Sequence, residues 1–275
     1  MLADSTCDLS PEQLRFSGIQ TMPIRIHHGG QEFENSELTP QQMLDRVRAS
    51  GQPAVTHAPN HEEYLGLYRR VLENADSAIH ITTSRDLTGT YAAAVRAAGE
   101  LGGRVQVVDS RYASYALGAQ ALRAARWADQ GADVMQIVSR LGELQSQMLF
   151  LFAVERLEFL RINGRIGPAA AFVGNLLGLN PLIELRSGQM MSAGRARGQK
   201  AVLRELSKYA LEQQQTRQGP VEVTCVYTAG GDQGAALLRQ ELTYLHARDG
   251  GIHPLGAGIT ANAGPAYGLL MMPAE

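Results

Sequence analysis

Strand-like and helix-like stretches alternate along almost the whole of this 275-residue chain. Apolar runs at Ile19–Ile26, Ala78–Thr83, Val105–Val108, Met148–Val154, Leu182–Leu185, Val221–Tyr227 and Ile252–Ile259 read as strands. Between them, helical spacing predicts helices over Thr88–Leu101, Leu117–Gln130, Val134–Gln147, Lys200–Gln215 and Asp232–Ala247. Three more helices announce themselves by their starts: Ser10-Pro11 with Gln13, Thr39-Pro40, and Asn60 with Glu63. Strands separated by helices of this length need crossover connections, so the expected fold is α/β with a mainly parallel sheet. The rhythm breaks between 155 and 200, where Gly164, Gly167 and Gly178 split short helical pieces and two strand-like pieces flank a Ser187-Gly188 turn. That break predicts two α/β lobes, 1–155 and 156–275.

Composition excludes several functions. The net charge is −2 and no Lys/Arg cluster lies on one predicted face, which argues against nucleic-acid binding. No apolar run is long enough to span a bilayer, and the stretch "MLADSTCDLS" lacks a basic and apolar leader pattern, so a cytoplasmic location is expected. Cys7 and Cys225 have neither disulfide nor zinc spacing and are expected in the core. His27 and His28 should point to opposite faces of a strand. No metal site and no cofactor are expected.

Ligands of open α/β sheets bind beyond the carboxyl ends of the strands. Here those ends share a vocabulary: "ADSTCD", "HITTSRDLTG", "QVVDSRYAS" and "CVYTAGGD". Each alone reads as a helix cap; four together predict one crevice lined by hydroxyls. There is no G-x-G-x-x-G after a strand and no P-loop, which disfavours nucleotides. Ser110 is not in a nucleophile elbow, and no base is placed beside it, His57 being a candidate only in principle. The crevice therefore reads as a binding site for a small anion or polar head group, with no catalytic residues.

Seven ordered segments carry a family resemblance. They are "DSTCDL", "TGTYAAA", "VVDSRYASYALG", "LEFLRINGRI" with "GNLLGLNPLI", "RARGQKA" and "GAGITANAGPAYG". Together they resemble the DegV family of bacterial fatty-acid-binding proteins over essentially the whole chain. The resemblance implies an N-terminal three-layer α/β/α lobe with a mainly parallel sheet and a C-terminal two-layer α/β lobe with a mixed sheet. It also implies one long-chain fatty acid in a buried tunnel, its carboxylate presented to the catalytic subunit of a fatty acid kinase. The binding protein itself performs no chemistry.

Residue by residue, the resemblance puts Thr56 and Arg165 at the head group, with Thr88 in the opening turn and Asn163 replacing a glycine beside Arg165. It puts Arg197 on the kinase-facing surface, and makes "GPAAAFVGNLLGLNPLIEL" a tunnel wall. Three departures stand out. The family turn S-S-x-L-S-G-T places Arg85 where its second serine binds the carboxylate, unless a one-residue insertion gives the two roles to Thr83 and Ser84. Ser84 is the expected ligand because long charged side chains favour the outside. Asn262 stands where the family has a histidine, and the first strand is nearly missing. A same-fold binder of another amphiphilic anion is the alternative, with a hydrolase using Ser110 or a kinase behind it.

Overall fold

The computed structural model describes residues 1–172 and 178–275. The chain opens with β1 (Leu2–Asp4), α1 (Pro11–Ser17), β2 (Gln20–Met22), β3 (Arg25–His28), β4 (Gln31–Glu34) and α2 (Pro40–Ser50). It continues through β5 (Val55–His57), α3 (His61–Leu72), β6 (Ala78–Thr82), α4 (Thr90–Ala98), β7 (Val105–Asp109), α5 (Ser114–Asp129) and α6 (Val134–Ser146). The rest comprises β8 (Leu149–Val154), α7 (Glu158–Ile162), β9 (Asn180–Arg186), β10 (Gln189–Ala196), α8 (Gln199–Gln215) and β11 (Val221–Tyr227). It closes with α9 (Asp232–Glu241), β12 (Ala247–Pro254), α10 (Ala257–Ala263) and β13 (Ala266–Pro273).

The fold is α/β in two lobes. In the first, β2-β1-β6-β7 form a parallel sheet. Successive residues alternate faces. Leu2 therefore packs with Tyr64 and Tyr68 of α3 and Ala94 of α4, while Ala3 packs with Leu117 of α5 and Ile137 of α6. Helices on both faces make three layers. The short β1 lies at the sheet's centre, and its three residues are fully buried. All three expected helix starts carry reciprocal capping boxes.

In the second lobe a mixed sheet runs β10-β9-β8-β13-β11-β12, with only β11 and β12 parallel. On β8, Leu149, Leu151 and Ala153 face α8 and α9, whereas Phe150, Phe152 and Val154 face the first lobe. One face thus builds a two-layer core and the other closes the space between lobes. β4-β3-β5 form a small antiparallel sheet beside this space.

Four expectations are corrected. β8 is hydrogen-bonded into the second sheet, so the lobe division falls before residue 149 rather than after 155. The strand expected over Ile19–Ile26 is two, because Pro23 has no N–H for a ladder. The strand expected over Ile252–Ile259 stops at Pro254, and small residues then start α10. The last long helix ends at Glu241, leaving Ala247 onward to β12. The expected hairpin is present: Ser187 (φ 49) and Gly188 (φ 91) form the turn between β9 and β10. Cys7 and Cys225 are free and buried, and His28 is buried while His27 is not.

Candidate functional site: a hydroxyl-rimmed apolar cavity

Between the lobes lies a cavity with about 900 Å³ of space, its mouth included. Its apolar wall is the inner face of the second sheet, chiefly Phe150, Phe152, Leu185, Met190 and Val226, with Leu160 and Leu255 at the edges. Its polar rim comes from the strand ends that the sequence singled out: Thr6 after β1, Thr83 after β6, Ser114 beyond β7 and Thr228 after β11. Thr56, Thr88, Arg165 and Asn262 line it as well.

The turn after β6 is set by buried hydrogen bonds. Asp4 Oδ2 accepts from the Thr83 N–H at 2.8 Å, and the Thr83 and Thr6 hydroxyl oxygens are 3.1 Å apart. His80 Nε2 sits 3.3 Å from Asp4 Oδ1, and its Nδ1 is 2.7 Å from the Tyr68 hydroxyl oxygen. This chain of buried groups fixes Thr83 on the cavity wall. Ser84 turns away from it: its hydroxyl donates to the Gly188 carbonyl at 3.1 Å, fastening the turn to the β9–β10 hairpin. Its own N–H donates to the Tyr112 carbonyl at 2.8 Å. Arg85 points outward, its side chain 63% exposed, with Nε 3.5 Å from Asp109 Oδ2.

Neither Ser84 nor Arg85 lines the cavity, and Thr83 does. Thr6, Ser114 and Thr228 were marked only as members of hydroxyl-rich strand ends. Thr228 is committed within the fold, donating to the Gly264 carbonyl at 2.6 Å. The wall expected from 167–185 is represented by Leu185; residues 173–177 lie outside the described residues.

Across the mouth, Asn262 Nδ2 donates to the Gly258 carbonyl at 2.7 Å and lies 3.5 Å from Thr56 Oγ1. Its Oδ1 is buried without a hydrogen-bond partner. Arg165 is half-buried, with Nε donating to the Leu87 carbonyl at 3.2 Å and Nη1 to the Asn163 carbonyl. Burial lowers its pKa from the usual arginine value, but an arginine keeps its charge at neutral pH. Among the described residues no carboxylate forms an ion pair with it. A cation held by neutral carbonyls leaves a net positive charge on a cavity wall otherwise made of apolar and neutral polar side chains. Asn163 supports the loop from behind, donating to the Phe159 carbonyl at 3.1 Å.

Asp8 lies behind the rim. Its Oδ2 accepts from the Ser114 hydroxyl at 2.8 Å, and burial pushes its carboxyl up to about 7 against the bonds from Ser114, Gly256 and Asn35. Among the described residues the two candidates for a nucleophile–base pair, Ser110 and His57, are apart from one another in their contacts. Ser110 is fully buried with its hydroxyl donating to the Tyr112 carbonyl, and His57 is exposed with its ring 4.3 Å from that of His27. Among the described residues no group of histidine, cysteine and acidic side chains could hold a metal ion, and no helix is long and apolar enough to cross a membrane. Arg197 is exposed between β10 and α8, its guanidinium near Gly178.

Fold and site together define a two-lobed α/β protein with an apolar cavity between the lobes, lined among the described residues by one guanidinium and several hydroxyls. The family model described as "Uncharacterised protein, DegV family" matches residues 1–274. A DegV domain-containing protein of Deinococcus radiodurans is 42% identical over 266 residues, 95% of this chain and 92% of that relative. Among solved structures, a DegV family protein of Thermus thermophilus, described for its fatty-acid binding, superposes with TM-score 0.94 at 33% identity. The match covers 99% of this chain and 98% of that one. A Thermotoga maritima protein described as revealing a fatty-acid-binding function gives TM-score 0.86 at 25% identity, covering 99% and 98%. The chain belongs to the DegV family.

Proposed function

We propose that this protein binds one long-chain fatty acid, with its carboxylate at Arg165 and the rim hydroxyls and its tail along the inner face of the second sheet. The carrying observation is Arg165: a half-buried guanidinium on the cavity wall, paired among the described residues only with carbonyls. An anionic head group supplies the partner that the fold withholds. Thr83, Thr56, Thr88 and Asn262 can donate to its oxygens without adding charge. Burying roughly ten methylenes at about 0.8 kcal/mol each gives a gross gain near 8 kcal/mol, before the cost of immobilising the chain. The fatty-acid binding described for the two structural relatives supports the same ligand.

In this reading the protein is a carrier and no enzyme, acts in the cytoplasm, and hands its ligand's carboxylate to a fatty acid kinase. Neutral donors and one arginine hold the head group at the cavity wall. Arg197, exposed at the strand-to-helix step, is the proposed kinase contact. The test is reconstitution with ATP, magnesium, palmitate and a fatty acid kinase, trapping acyl phosphate as its hydroxamate. Product formed only when this protein is present supports the reading. Palmitate bound but never phosphorylated by any such kinase refutes the carrier role.

A further inference from the structure

Asp8 sits where the lobes meet, one residue behind the cavity wall. It ends the single helical turn Ser5–Cys7 in the left-handed region, at φ 53 and ψ 26. Its partner Ser114, which lines the cavity, is left-handed too, at φ 61. Two non-glycine residues in this costly conformation, joined by a hydrogen bond, are held there by the surrounding fold. Asp8 Oδ1 lies so close under the start of α10 that a Cβ on Gly256 would be 2.5 Å away.

The groups around Asp8 are few. From β12, His253 donates Nε2–H to the Asp8 backbone carbonyl at 2.5 Å, and its ring stacks on Tyr115 of α5 at 3.9 Å. Burial lowers the His253 pKa, which keeps that ring neutral at pH 7. Cys7, on the same turn, is a thiol that burial pushes up to about 12, with Asp4 beyond it. Asn35, Ser114 and the Gly256 N–H bond the carboxyl, and among the described residues no lysine or arginine acts on it.

An ionised Asp8 only accepts hydrogen bonds, so it draws the Ser114 hydrogen away from the cavity and leaves oxygen lone pairs facing the ligand. A carboxylate head group needs the opposite, and it is repelled by a second buried anion. We propose that Asp8 is the proton acceptor linked to head-group binding: when a fatty acid carboxylate enters, Asp8 takes one proton from solvent, its new O–H donates to Ser114 Oγ, and the Ser114 hydrogen turns to the ligand. The one covalent bond formed on the protein is the Asp8 O–H bond, its proton supplied by solvent, and it removes the Asp8 charge that would repel the incoming anion. A carboxyl that titrates near neutrality can make this exchange at physiological pH.

The inference rests on the fatty-acid reading, and one calorimetric experiment separates the two. Palmitate is titrated into delipidated protein in buffers of different ionisation enthalpy, from about pH 6 to about pH 8.5. The expected uptake is roughly half a proton per palmitate at pH 7, rising toward one as the pH rises. Affinity then falls toward tenfold per pH unit above neutrality, because binding consumes a proton. In Asp8→Asn the uptake should vanish and the affinity become flat with pH. Binding without proton uptake, or uptake that persists in Asp8→Asn, overturns the role of Asp8. An absence of palmitate binding overturns the fatty-acid reading and the inference with it. Should Asp8→Asn fail to fold, infrared difference spectra of the wild type decide with palmitate labelled by ¹³C at its carboxyl. A new protonated-carboxyl band that ignores the label places the proton on the protein, as proposed. A band that moves with the label places it on the ligand and overturns the proposal.

Discussion

Thr83 and Ser84 leave β6 one after the other, the first onto the cavity wall and the second into the hairpin contact with Gly188. The sequence showed that hydroxyls gather at this strand end but not which one faces the ligand. That choice is made by Asp4 and Tyr112, which hold the Thr83 and Ser84 N–H groups from distant parts of the chain. Thr83→Val should weaken palmitate binding by about 1 kcal/mol with little loss of stability, the usual scale for one neutral hydrogen bond. Ser84→Ala should do the reverse, lowering the unfolding free energy by about 1–3 kcal/mol because the buried Gly188 carbonyl loses its donor. Arg85→Ala should leave the binding isotherm unchanged, since its exposed pairing with Asp109 contributes little. A large affinity loss in Arg85→Ala would return that side chain to the site. Asp8 also marks stability: its carboxyl is raised from 3.8 to about 7 on folding. The folded state therefore binds more protons between those values, and stability falls as pH rises through that window. In Asp8→Asn the denaturant midpoint should lose this slope; an unchanged slope would mean that other groups cause it.

At the scale of elements, period and punctuation were readable wherever a helix or strand is sealed by local signals. The three capping boxes and the alternation on β8 are of that kind. The 252–273 region was not, because an apolar run interrupted by Pro254 and followed by small residues has no distinct period. Its helix α10 forms because β12 ends and the chain crosses the cavity mouth to reach β13, a demand of the sheet rather than of local sequence. The β9–β10 hairpin offers a test of how tightly the lobes are fastened. Gly188 has φ 91, and a Cβ there would stand 2.7 Å from Ser84 Oγ. Gly188→Ala should therefore cost more than the roughly 1 kcal/mol of an open left-handed site, read from urea unfolding. A neutral result would show that the Ser84 contact yields easily.

For the whole molecule, the chamber exists because neither lobe closes its own inner face: the second sheet presents Phe150 and Phe152 to strand ends of the first. A ligand filling that space binds only the folded state, so palmitate should raise the unfolding temperature in a concentration-dependent way. Arg197 lies outside the chamber, so Arg197→Ala should retain that shift while slowing kinase-dependent acyl phosphate formation. Loss of the shift would place Arg197 in the fold or the site. Arg165 carries the central claim. Native mass spectrometry of the protein as purified should show one added mass per chain, identified after extraction as a long-chain fatty acid, and Arg165→Met should lower affinity for it by about 2 kcal/mol, roughly thirtyfold. A chain that carries only a nucleotide or sugar phosphate, or that stays empty when offered palmitate, would contradict the account.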